Sequence, residues 1–124
     1  MNDATGAIDG ADTMQKWLES DDYTTIMETI QGNDGRHIAA AVIARHADRW
    51  YHEAGIWVVP EHRGNGHGSE LAVWINEECE RTGIRVFLSP RDDIGRAAFG
   101  HIDERHKVSA DEITGRSWRR PCTD

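Results

Sequence analysis

Lysine is almost absent from this chain: Lys16 and Lys107 are the only two, so arginine carries nearly all of the positive charge. With Lys+Arg at 14 and Asp+Glu at 22, the formal charge is -8. That balance disfavours a nucleic-acid coat or an anionic-membrane binder, both of which need a cationic face, and favours a cationic partner. Cysteine is equally scarce. Cys79 and Cys122 stand far apart with no neighbouring cysteine, which excludes a C-x-x-C redox pair and a cysteine-rich zinc site and leaves a reducing cytoplasm as the expected compartment. No apolar run approaches the roughly 20 residues of a membrane span. Met1 to Gly10 lacks the charged-then-apolar order of a secretion signal. No membrane partner is expected.

What is present suits one folded domain. In 124 residues, 38% hydrophobic content, five Trp and only three Pro are enough for a single core and too ordered for a disordered tail. Residues 1–11 are small and polar and read as a leader, leaving 12–124 as the domain. Asp12 or Thr13 suits the cap of a short helix to Asp21, with Met14, Trp17 and Leu18 on one stripe. The period then changes to that of strands. Tyr23 to Gln31, His37 to Arg45 and Trp50 to Val59 are three strands joined by turns at Gly32–Gly35 and Ala47–Arg49, an antiparallel meander.

Beyond Pro60 comes a glycine-rich loop, Arg63-Gly64-Asn65-Gly66-His67-Gly68, then a helical pattern over Ser69–Thr82 with Leu71, Trp74, Ile75 and Cys79 on its apolar face. Gly83 ends the helix and Ile84–Ser89 reads as a strand. Strand, loop, helix and strand form a βαβ unit, which makes its two strands parallel. A short helix over 93–103 and a last strand over 111–120 complete the expectation. The class is α/β, with a mixed sheet of about five or six strands.

A strand that runs through glycines into a helix aims several backbone N–H groups and the positive helix end at one point, which suits a phosphate. The dinucleotide fingerprint fails because Gly64, Gly66 and Gly68 are evenly spaced; the nucleotide P-loop fails because no lysine follows. A third pattern fits. Val58-Val59-Pro60-Glu61-His62-Arg63-Gly64-Asn65-Gly66-His67-Gly68 resembles the V-x-P-x-x-R-G-x-G-x-G signature of the GCN5-related N-acetyltransferases (GNAT). The resemblance implies a GNAT-like, mainly antiparallel mixed sheet with a βαβ acyl-CoA-binding unit. It implies acetyl-CoA, or another acyl-CoA, as co-substrate, with its pyrophosphate on the backbone from Arg63 through Gly64, Asn65, Gly66, His67 and Gly68 to Ser69. It also places the pantetheine arm between the strands that flank the helix, with Ser89 beside it, and backbone N–H groups near Val58 and Val59 on the developing oxyanion.

The implied reaction is transfer of an acetyl group to a primary amine of a protein or small molecule by direct attack. Glu53, five residues ahead of Val58, falls where some GNAT members carry a base, and His52 on the opposite strand face is the alternative. In the family a downstream Tyr protonates the departing thiolate. Anchoring that pattern on Ala97 puts His101 in the Tyr position and Ile94 in the place of the usual Asn. The departure makes a non-catalytic acyl-CoA-binding or protein-interaction module the competing reading, including a phage type with a host-defence target.

Seven histidines invite a metal search, but His52-Glu53-Ala54-Gly55-Ile56 lacks a second His, and His101, Glu104 and His106 miss the H-x-x-E-H register by one. No catalytic metal is expected. Arg116, Trp118, Arg119 and Arg120 suit a last strand or the cofactor's phosphates better than nucleic acid. Only 11–22 precede the hairpin where GNAT members place two helices, so the acceptor pocket is expected to be open or completed by a second subunit in a homodimer.

Overall fold

In a computed structural model of the chain, residues 12–88 and 97–114 are described. Helix α1 (Asp12–Glu19) leads into the hairpin of β1 (Tyr23–Gln31) and β2 (His37–His46), followed by β3 (His52–Val58). A single 3-10 turn, Pro60–His62, precedes helix α2 (His67–Thr82), and β4 (Val86–Leu88) and β5 (Lys107–Val108) follow. The strands form one five-stranded sheet in the order β1-β2-β3-β4-β5. Its two antiparallel ladders, β1 with β2 and β2 with β3, are long; its two parallel ladders, β3 with β4 and β4 with β5, are three and two residue pairs. The expected α/β class and mixed, mainly antiparallel sheet are therefore present.

Strand alternation sorts the core into two layers. Ala39, Ala41 and Ile43 of β2 and Ala54, Ile56 and Val58 of β3 face Leu71, Ile75 and Cys79 of α2. The intervening residues Ala40, Val42, Ala44 and Trp57 face the other way, around Trp17 of α1. β2 carries alanine on both faces because it is covered on both, and small side chains let the two helical layers approach the sheet. Gly83 closes α2 at a φ of +77°, donating its N–H to Cys79 O at 2.8 Å. Burial and the neighbouring Glu78 push the Cys79 thiol up to about 11, so this cysteine is a packing group and not a nucleophile.

Beyond shifts of a residue or two at element ends, two elements differ from expectation. The expected strand over 111–120 is helical where it is described, at residues 110–114, and the rest lies outside the described residues. The cause is local: Ser109 Oγ accepts from Glu112 N at 3.0 Å, while Glu112 Oε1 accepts from Ser109 N at 3.2 Å. This reciprocal S-x-x-E box satisfies helix-start donors that a strand would leave open. The missing strand is supplied earlier by Lys107–Val108. Arg85 fixes it there, donating to Lys107 O at 2.7 Å and to both Glu112 carboxylate oxygens at 3.0 Å. In the expected helix over 93–103 only 97–99 are helical among the described residues, and 100–103 turn away.

Ile75 is fully buried at the contact of α2 with the sheet. Ile75→Ala is expected to lower unfolding free energy by about 2–5 kcal/mol, whereas Ser109→Ala should cost about 1 kcal/mol through the lost cap. Urea titrations of the two variants check the ranking.

Candidate active site

β3 has two unequal edges. Toward β2 it is paired from His52 to Val58, and Val59 N–H extends the ladder to Ile38 O at 2.9 Å. Toward β4 the register covers only His52–Ala54 against Val86–Leu88. Among the described residues, Gly55 to Val58 meet no strand on that side. Backbone N–H groups alternate in direction along an antiparallel ladder, so with Val59 N–H turned to β2, that of Val58 points toward the β4 side. The Val59 N–H, expected near the oxyanion, is thus already engaged by Ile38.

The chain leaves β3 through a corner that the sequence explains residue by residue. Pro60 starts the 3-10 turn with its fixed φ and without a donor to satisfy. Arg63 Nε then donates to Val58 O at 3.0 Å, tying the loop back to the last residue of the strand. Asn65 Nδ2 donates to His62 O at 3.3 Å. Gly64 and Gly66 sit at φ +85° and +86°, a left-handed geometry that side-chain-bearing residues resist, and a Cβ at either would point into open space. The glycines serve the backbone path and leave its outer side open to a ligand.

Gly66 caps α2 with no side-chain bond, and the first ladder bond runs from Glu70 N–H to Gly66 O at 3.0 Å. The N–H groups of His67, Gly68 and Ser69 therefore have no intrahelical acceptor and point along the helix axis toward solvent. α2 starts two residues earlier than the expected Ser69, which puts these three in its first turn. The His62 and His67 rings flank this end with centroids 6.4 Å apart. Outward amides, a positive helix end and a glycine-lined approach together fit a diphosphate.

A family model described as acetyltransferase (GNAT) family matches residues 3–100. The chain belongs to that family. No curated protein and no solved structure matches it.

Within this GNAT chain the nine expected cofactor contacts from Val58 to Ser69 lie on one continuous strand-to-helix corner, while Ser89 lies outside the described residues. Glu53 is further back on β3, on the sheet face that carries Trp57 and α1. Its Oε1 is buried 2.7 Å from Arg49 Nη1 without an aligned hydrogen bond. Arg49 also lies 5.9 Å from the Tyr51 ring centre. Arg49 had no signal in the sequence, because it comes from a turn and meets Glu53 only when the strand folds against it. His101 is exposed after the 97–99 turn, its N–H donating to Ala98 O at 3.0 Å.

His52 lies on the α2 face, beside Arg45, Glu78 and Thr82, and so is separated from Glu53 by the sheet. Burial, reinforced by the positive charge of Arg45, holds its imidazole below the ordinary 6.5. The unfolded chain then binds the proton more readily, so this residue's contribution to stability is complete above pH 6.5 and is lost as pH falls toward the folded value. Denaturant midpoints at a series of pH values should fall less steeply below pH 6.5 in His52→Gln than in the wild type.

Proposed function

We propose that this protein transfers an acetyl group from acetyl-CoA to a primary amine by direct attack within a ternary complex. One observation carries the reading: Val58 N–H points toward the β4 side of β3, where among the described residues it meets no strand, and the free amides of the α2 N-terminus lie around the corner from it. The first is in position to polarise an acyl carbonyl, and the second to hold the diphosphate of the same molecule. A bound acyl-CoA supplies the activated thioester; the protein supplies orientation and charge.

The reaction forms a C–N bond, breaks the C–S bond and moves a proton off the amine. Glu53 is the group we assign to that proton, through water, and His101 the one assigned to protonate the departing thiolate. Arg49 holds the Glu53 carboxylate in place, and Arg63 holds Val58 through its carbonyl. The acceptor approaches from the α1 face, where Glu53 lies, and the overall charge of -8 favours an amine that arrives as a cation. The pairing of Glu53 with Arg49 favours a second reading, a non-catalytic acyl-CoA-binding module in which Glu53 is only one half of an ion pair.

Thiol release separates the two. Incubation with acetyl-CoA and a panel of amines and peptides should liberate free CoA, and Glu53→Gln should lower kcat by about 10²–10⁴-fold with little change in KM for acetyl-CoA. Binding of acetyl-CoA with no thiol released across the panel would establish the module instead. Gly66→Glu, which sets a charge against the diphosphate and strains a left-handed position, should remove acetyl-CoA binding in calorimetry; unchanged affinity would refute both readings.

A further inference from the structure

Far from the glycine corner, the C-terminal half of α2 faces the segment that leads into β5. Asn76 Oδ1 accepts from Asp103 N at 3.0 Å, and one turn further along the helix Glu80 reaches the same segment. His106 is buried there, 8% exposed, and its Nε2 has no hydrogen-bond partner among the described residues. That nitrogen lies 3.7 Å from Glu80 Oε2, too far for a hydrogen bond but on the side of the carboxylate cluster. One ligand atom each from Glu80, Asp103 and His106 lie within 4.8 Å of one another.

We propose that Glu80, Asp103 and His106 bind a divalent transition-metal ion. A tetrahedral ion about 2.0–2.2 Å from nitrogen and oxygen donors holds them roughly 3.4 Å apart, so small rotations of the two surface carboxylates close the site. One imidazole with two carboxylates suits Zn²⁺ and its first-row neighbours better than Ca²⁺ or Mg²⁺, which prefer oxygen alone. An open cleft of about 460 Å³ reaches Glu80 and His106 and gives the ion and its waters a way in.

Arg105 is the internal competitor. Its Nη2 lies 2.6 Å from Glu80 Oε2 and its Nε 3.1 Å from Asp103 Oδ2, so its charge occupies the place a metal would take. The Arg105 side chain is 62% exposed and those of Glu80 and Asp103 are about half exposed. Such surface pairs are weak, and Arg105 can swing into solvent while His106 cannot. The ion joins α2 to the segment before β5, a staple between helix and sheet edge. No part of this site lies in the acyl-CoA corner.

Zinc titration of the full, untagged chain by calorimetry tests the assignment. One equivalent should bind, Glu80→Gln and His106→Gln should each weaken it by about tenfold or more, and Arg105→Gln should tighten it. Co²⁺ should show visible absorption in the wild type that Glu80→Gln removes. Zinc affinity unchanged in Glu80→Gln, or weakened in Arg105→Gln, would overturn the site. Glu80 is on the surface, so the Glu80→Gln result stands even if His106→Gln fails to fold. Acetyl-CoA binding should be equal in the wild type and Glu80→Gln, which keeps this test separate from the acyltransfer reading.

Discussion

β3 is hydrogen-bonded along its whole length on one edge and, among the described residues, over three residues on the other, and the candidate site follows from that inequality. The long ladder with β2 fixes which of its amides turn inward, so the outward direction of Val58 N–H is set by Val59 bonding to Ile38. Among the described residues the ladder with β4 ends at Ala54 and Leu88, and β3 runs on toward the loop. α2 is what keeps the geometry in place. Leu71, Ile75 and Cys79 bury against Ala54, Ile56 and Val58, so the helix that presents its N-terminal amides is packed on the strand that presents Val58.

The corner between them is held by contacts a sequence motif does not reveal as structural. Arg63 stands in the signature at the start of the stretch whose backbone is expected to hold the pyrophosphate, yet its side-chain Nε is bound to Val58 O. It locks the loop to the strand, and any charge it lends a diphosphate comes from an already anchored side chain. The same division applies to the acidic balance of the chain. A net charge of -8 opposes a polyanionic ligand, and the corner answers with fixed dipoles and the nearby Arg63 and His67, short-range effects that a distributed negative charge does not cancel.

Periodicity made the meander, α2 and the parallel βαβ unit legible, because Tyr23–Gln31 alternates and Leu71, Ile75 and Cys79 recur at helical spacing. It failed at 111–114, where the apolar content suits a strand but the Ser109–Glu112 capping box decides for a helix; that box was readable and is a local signal. β5 was not readable, since two residues have no period and Lys107–Val108 is a strand only because Arg85 and β4 receive it. In the site, the glycine corner was legible as a motif. The Arg49–Glu53 pair and the grouping of Glu80 with Asp103 and His106 were not, because each depends on chain segments brought together by folding.

The central claim is that an acyl-CoA lies along the β3–loop–α2 corner with its acyl end at Val58. Titration of isotopically labelled protein with acetyl-CoA, followed amide by amide in NMR spectra, tests it most directly. The largest shifts should fall on Val58 and on Gly64 to Ser69, with the Val59 amide moving less because Ile38 holds it and those of β1 remaining in place. Binding that perturbs β1 or the C-terminal turns of α2 while leaving Val58 and Gly64 to Ser69 unmoved would contradict the account.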